Sequence, residues 1–128
     1  MKVQATEGTT PMNLKFLLRA VLLCAVAVSA FAAGEETPRT ISITAQRFSF
    51  SPNEITLKKG QEVILVIQTK DVSHGLLIEG LGVRTDIKKG QTTEVKFTPE
   101  TAGTFEGKCA HFCGSGHGSM KMTVHVTE

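Results

Sequence analysis

TISITAQRFSFSPNEITLKKGQEVILVIQT, residues 40–69, is a series of short apolar and polar alternations broken by turns. Ile41, Ile43 and Ala45 alternate with polar side chains, a period of two that is typical of a half-buried strand. Ser-Pro-Asn and Lys-Gly-Gln then mark two turns. The apolar run EVILVIQT, residues 62–69, predicts a strand that is covered on both faces.

The alternation continues outside this stretch, in TEVKFTP and in MKMTVHV near the C-terminus. Turn signals recur about every 8 to 12 residues, and no long helical pattern follows the N-terminal segment. This spacing predicts an all-β sandwich or barrel. We therefore expect residues 40–126 to form a Greek-key β-sandwich, within a domain that spans residues 40–128.

The N-terminal segment has the layout of a secretory signal peptide. Lys15 and Arg19 precede an apolar run from residue 20 to residue 31, and Ala30-Phe31-Ala32 is a small-x-small cleavage signal. The run is shorter than the ~20 residues of a spanning helix, although an uncleaved anchor helix is the alternative. We assign residues 1–32 to an upstream extension and signal peptide, and residues 33–39 to a linker. The protein is then exported, to the periplasm or the outer face of the cytoplasmic membrane.

Charge excludes one class of partner. The chain has 14 basic and 12 acidic residues, and three of the basic and one of the acidic residues lie in the predicted leader. The mature domain thus has 11 of each and is close to neutral. It lacks the basic excess of a nucleic-acid-binding protein.

The segment KCAHFCGSGHGSMKM, residues 108–122, concentrates the candidate metal ligands. Cys109, Cys113, His117 and Met120 lie on one predicted loop between two strands. Interleaved glycines allow the backbone to turn tightly where side chains converge.

Several kinds of site use some of these residues. A disulfide needs only the two cysteines. A zinc site uses the cysteines and histidines but has little use for a thioether. Thiolate, imidazole and thioether together favour copper. A one-copper blue site leaves Cys109 surplus, whereas a two-copper site with bridging thiolates uses every soft ligand.

The remaining histidines differ in their surroundings. His74 follows Asp71-Val72-Ser73 in an apolar strand, and we expect it to complete the site from outside the loop. His125 shares the polar face of the last strand, and we expect it to be solvated and to point away. His111 lies between the two cysteines.

The chain resembles the binuclear copper (CuA) domain of cytochrome c oxidase subunit II, which is a cupredoxin. The resemblance rests on Asp71-Val72-x-His74, on Leu81-Gly82-Val83-Arg84-Thr85-Asp86 and on CAHFCGSGHGSM, and it runs from about residue 40 to the C-terminus. It implies a cupredoxin-like fold and two copper ions. It also implies the following ligands: His74, Cys109, His111, Cys113, His117 and Met120. The family usually has glutamate where His111 stands and binds through that residue's carbonyl, which a histidine can also supply.

The function implied by the resemblance is electron transfer through a CuA-type centre, with no catalysis by this domain alone. The implied partners are cytochrome c or another redox protein and a membrane oxidase subunit. A free periplasmic cupredoxin, either a mononuclear blue-copper carrier or a copper-handling protein, is the alternative. The family usually docks cytochrome c on an acidic face, and this sequence shows no acidic cluster.

Overall fold

The computed structural model describes Gly34 and residues 36–128. The predicted upstream extension and signal peptide, residues 1–32, lie outside the described residues. Residues 36–128 form one compact unit. In this unit, no helix is long and apolar enough to span a membrane.

Nine strands make up the described part of the chain. They are β1 (Arg39–Gln46), β2 (Ser49–Ser51), β3 (Glu54–Lys58), β4 (Val63–Thr69), β5 (His74–Ile78), β6 (Val83–Ile87), β7 (Thr93–Phe97), β8 (Gly103–Lys108) and β9 (Lys121–Thr127). Two 3₁₀ turns, Glu79–Leu81 and His117–Ser119, interrupt them. The predicted all-β sandwich is confirmed.

The strands form two sheets. One sheet has the order β2-β1-β4-β7 and the other β3-β9-β8-β5-β6. β1 is parallel to β4 and β3 is parallel to β9, while the other neighbours are antiparallel. The crossovers between the sheets produce the two parallel pairs, which periodicity alone does not reveal.

The core lies between the two sheets and follows from the period-two pattern. Each strand with alternating residues turns its apolar face inward. The buried apolar side chains of the strands are those of Ile43, Ala45, Phe50, Ile55, Leu57, Val63, Leu65, Ile67, Leu76, Ile78, Val83, Ile87, Met122, Val124 and Val126.

The expectation that EVILVIQT is covered on both faces is wrong. In β4, Val63, Leu65 and Ile67 are fully buried, but Ile64 and Val66 between them are only half-buried. Only one face of β4 packs into the core, because the other face is the outer surface of the sheet. The apolar run therefore reflects strand propensity as well as burial.

Candidate metal centre

The candidate ligands lie at one end of the sandwich, on the loop of residues 109–120, here called the ligand loop. β8, which precedes this loop, lies between β5 and β9 and is antiparallel to both. The chain after β8 therefore runs beside the start of β5, where the amide of Ala110 donates to the carbonyl of Gly75 (3.3 Å). The amide of Cys109 donates to the carbonyl of Met120 (3.0 Å) and holds the ends of the loop together.

His74 and Cys109 meet in the interior at this end. His74 is fully buried and Cys109 is 5% exposed. The Sγ of Cys109 lies 3.9 Å from Nδ1 of His74 and 3.1 Å from the carbonyl oxygen of His111. The side chain of His111 is exposed, so its carbonyl is the group that faces the thiol.

Cys113 has its own set of neighbours. Its Sγ lies 3.7 Å from Sγ of Cys109, 3.9 Å from Nδ1 of His117 and 3.9 Å from Sδ of Met120. Met120 is fully buried, whereas His117 is half-buried. The structure thus brings all the predicted site residues together at one end of the sandwich: His74, Cys109, His111, Cys113, His117 and Met120. Their role as ligands stays a prediction.

The distances and the donor atoms bear on the disulfide and zinc alternatives. Both cysteines are free, and the 3.7 Å between their sulfurs is well beyond a disulfide bond of about 2.05 Å. The ligand atoms of His74, Cys109 and Cys113 lie within 4.8 Å of one another, which would suit several metals. The buried thioether of Met120 beside the thiols makes the donor set soft, and this set fits copper better than zinc.

His74 is held in place by Asp71, a contact that sequence reasoning missed. The Nε2–H of His74 donates to Oδ1 of Asp71 (2.8 Å). This bond assigns the proton to Nε2 and leaves the lone pair of Nδ1 directed toward Cys109. The i, i+3 spacing within Asp71-Val72-x-His74 was the available signal.

Two pKa shifts follow from these contacts. Burial acts to raise the pKa of Asp71, but hydrogen bonds from the amide of Arg47, from His74 and from the amide of Val72 outweigh it and hold that pKa well below its usual range. Burial, and then the hydrogen bond with Cys109, raises the pKa of Cys113 to about 11. A metal that takes Cys113 as a thiolate must therefore displace its proton.

Two glycines allow close approach at the site. A Cβ at residue 75 would lie 3.0 Å from the amide nitrogen of His111 and 3.1 Å from the carbonyl carbon of Ala110. A Cβ at residue 116 would lie 2.4 Å from the ring of Phe48. The sequence indicated the glycines of the loop, but Gly75 was missed, because its role depends on a strand pairing that brings distant backbone next to it.

Arg47 contacts the ligand loop from the turn between β1 and β2. Its Nε donates to the carbonyl of Cys113 (2.9 Å), and its amide donates to Oδ2 of Asp71 (2.7 Å). Arg47 thereby joins the ligand loop to the segment that holds His74. No sequence pattern indicated this contact, since 66 residues separate Arg47 from Cys113.

The site borders the surface on the side of His117. The ring of Phe112, which is 76% exposed, lies 5.7 Å from the ring of His117. His125 is elsewhere, on β9, where its ring nitrogens contact Thr104 (3.1 Å) and Glu54 (3.0 Å). As expected, His125 is not among the groups that converge on the cysteines.

Comparison with known proteins decides the family. Residues 17–124 match the family described as a cupredoxin-like domain. The chain belongs to this family. The resemblance to a cupredoxin is thereby confirmed.

Relatives of this cupredoxin-like chain include proteins named cytochrome c oxidase subunit 2. One, from Thermus thermophilus, is 32% identical over 89 residues, which are 70% of this chain and 66% of the relative. A second from the same species has 53% of its length matched, so the chain spans between about half and two thirds of these two relatives. A nitrous-oxide reductase from Cupriavidus necator is 35% identical over 91 residues, 68% of this chain but 14% of that protein.

Solved structures support the fold. The periplasmic domain of subunit II of cytochrome oxidase (CoxB) from Bradyrhizobium japonicum has a TM-score of 0.64 at 22% identity, covering 70% of this chain and 84% of that one. Auracyanin A, a blue copper protein from Chloroflexus aurantiacus, has a TM-score of 0.58 at 20% identity, covering 71% and 100%. At these identities the likeness concerns the fold alone.

Proposed function

We propose that this cupredoxin domain binds two copper ions in a CuA-type centre and transfers electrons. The arrangement of the two thiols carries the proposal. Cys109 and Cys113 lie 3.7 Å apart, and each faces a separate imidazole Nδ1 at 3.9 Å, from His74 and His117 respectively. Two adjacent thiols, each with its own imidazole, are residues that could hold two copper ions.

The remaining donors complete this assignment. The carbonyl of His111 lies against Cys109, and the Sδ of Met120 lies against Cys113, so each would be a weak ligand on its own side. Bound copper would supply a one-electron redox couple. The chain itself orients His74 through Asp71 and buries both thiols, which limits the access of water.

The names of the relatives support a place in respiration. Proteins named cytochrome c oxidase subunit 2 match 70% of this chain. We infer that cytochrome c or another redox protein exchanges electrons with the domain, and that a membrane oxidase subunit is a partner. The domain is then exported, on the periplasmic side or the outer face of the cytoplasmic membrane. It carries electrons, while the chemistry of oxygen belongs to cofactors of the partner.

A free blue-copper protein is the second candidate, because one thiol has a complete set of neighbours. Cys113 lies beside His117 and Met120, and His74 is within 4.8 Å of the same sulfur. Two imidazoles, one thiolate and one thioether form a mononuclear blue site. Cys109 would then not bind copper.

Copper content and the EPR spectrum of the full chain separate the two functions. A CuA-type centre takes up two ions per chain and shows a hyperfine pattern from two equivalent nuclei, which Cys109→Ser reduces to that of one ion. Equal content of one copper and identical spectra for wild type and Cys109→Ser would contradict the two-copper centre.

A matched pair of methionines tests the ligand set. Met120 and Met122 are both buried, but only Met120 lies beside Cys113. Met120→Leu is expected to shift the copper spectrum because it removes the thioether beside Cys113, whereas Met122→Leu should leave the spectrum unchanged. Both changes conserve volume and cost less than about 1.5 kcal/mol of stability, so both variants should fold. Equal spectra for the two variants would remove Met120 from the site.

A further inference from the structure

Four cations lie on loops at the end of the sandwich that holds the candidate metal centre. Arg47 lies between β1 and β2, Lys70 follows β4, and Lys88 and Lys89 follow β6. All four are exposed. Together they are called the basic ring. Asp71 is the one carboxylate in these loops, and it is engaged by His74 and by the amide of Arg47.

Hydrogen bonds place the ring at the same end as the ligand loop. Arg47 donates to the carbonyl of Cys113. The amide of Lys70 donates to the carbonyl of Ala45 at the end of β1 (3.1 Å). The amide of Lys89 donates to Oγ of Ser73 (3.1 Å), next to His74.

Four lysines outside the basic ring are paired with carboxylates. These pairs are Lys58 with Glu36, Lys59 with Glu128, Lys108 with Glu79 and Lys121 with Glu106, and Lys108 and Lys121 flank the ligand loop. Among the described residues, Arg39, Arg84 and Lys96, which lie outside the ring, also have no carboxylate partner. No member of the basic ring pairs with a carboxylate in this part of the chain. A nearly neutral domain therefore presents a positive potential at the end that holds the site.

An exposed apolar side chain lies on the ligand loop, at the same end of the domain. Among the described residues, Phe112 is the exposed large hydrophobic side chain, and its phenyl group lies beside the imidazole of His117. Beside it is a shallow cavity of about 270 Å³, lined partly by Arg47 and residues 111–114. An apolar centre with a polar, charged rim is the usual anatomy of a protein interface.

We propose that this face docks a redox protein whose own electron-transfer surface is acidic. The proposal rests on the proposed function and names the class of its partner. It reverses the charge that the family resemblance implies, which is an acidic docking face for cytochrome c. An anionic membrane is the weaker fit, since a membrane-bound face normally inserts several apolar side chains, whereas here the described residues expose Phe112 alone.

Binding of two c-type cytochromes of opposite charge tests the docking surface. The full chain is titrated with an acidic and with a lysine-rich c-type cytochrome at low and at physiological ionic strength. We expect the acidic cytochrome to bind more tightly and to lose at least about tenfold in association rate as salt screens the ring. Phe112→Ala should weaken binding without changing its salt dependence.

A matched pair of charge reversals locates the effect. Lys88→Glu is expected to slow association of the acidic cytochrome by about three- to tenfold at low salt. Lys96→Glu makes the same change on β7, at an exposed position outside the ring, and should have little effect.

Three results would overturn the proposal. They are tighter binding of the lysine-rich cytochrome, equal effects of Lys88→Glu and Lys96→Glu, and binding to phosphatidylglycerol vesicles without binding to the acidic cytochrome. Copper content is measured on the same samples. A chain that takes up no copper yet binds the acidic cytochrome through the ring contradicts the proposed function and leaves the docking surface intact.

Discussion

Gly75→Ala is expected to damage the stability and the copper site together. The added Cβ would lie 3.0 Å from the amide nitrogen of His111 and 3.1 Å from the carbonyl carbon of Ala110. Both atoms are backbone, so no side chain can rotate away. The ligand loop must move from β5, which separates Cys109 and the carbonyl of His111 from His74.

The magnitude follows from the cost of overpacking. Forcing a methyl group into a packed interior costs about 1–3 kcal/mol. With a urea m-value of about 1.5 kcal/mol per M, a loss of about 2 kcal/mol lowers the unfolding midpoint by roughly 1.3 M. Because the groups that hold the ligands move, the affinity for copper should fall about 10- to 100-fold.

Urea unfolding of the reduced protein and chelator competition for copper measure the two effects. Gly118→Ala is the control, since residue 118 is in the same loop and a Cβ there meets nothing within 4 Å. We expect this control to stay within about 0.5 kcal/mol of wild type. An unchanged midpoint for Gly75→Ala would refute the packing argument. A lowered midpoint with unchanged copper affinity would refute the link between β5 and the site.

Three further predictions concern contacts of the site and its surroundings. Arg47→Ala removes the donor to the carbonyl of Cys113; it should cost about 1 kcal/mol of unfolding free energy and speed the loss of copper to a chelator, and unchanged release would show that the contact is incidental. Oxidation of Cys109 and Cys113 to a disulfide should block copper uptake until a reductant is added, as measured by thiol titration and copper content; two-copper uptake by the oxidised chain would exclude both thiolates as ligands. His125→Gln should change stability by less than about 0.5 kcal/mol and leave the copper content unaltered, and a loss of copper would place His125 in the site.

Sequence reasoning was most effective where the signal was local. The alternation in residues 40–46 predicts β1 because each turned-in side chain contributes to the same core face. The ligand loop was recognisable because four soft or imidazole donors lie within twelve residues of one another. Its connection to His74 was expected because the site needs a further imidazole and His74 lies in an apolar strand, and the family resemblance implies the same ligand.

The contacts that position the ligands were not predictable, because they join segments that are distant along the chain. Arg47 reaches Cys113 across 66 residues, and Gly75 approaches the ligand loop only because β5 pairs with β8. β4 shows that a local pattern can also mislead the prediction of burial. Its continuous apolar run predicts burial on both faces, but composition alone does not say which side of a sheet another layer covers.

The candidate centre is asymmetric, and this asymmetry links the site to the surface around it. His74 is fully buried and is fixed by Asp71, whereas His117 is half-buried and lies beside the exposed ring of Phe112. A partner can therefore approach the site on the His117 side, where Arg47 also contacts the ligand loop, while His74 is enclosed by the sandwich. In the proposed centre, the imidazole of His74 would anchor the site to the fold, and the imidazole of His117 would lie between the site and a protein that docks on this face.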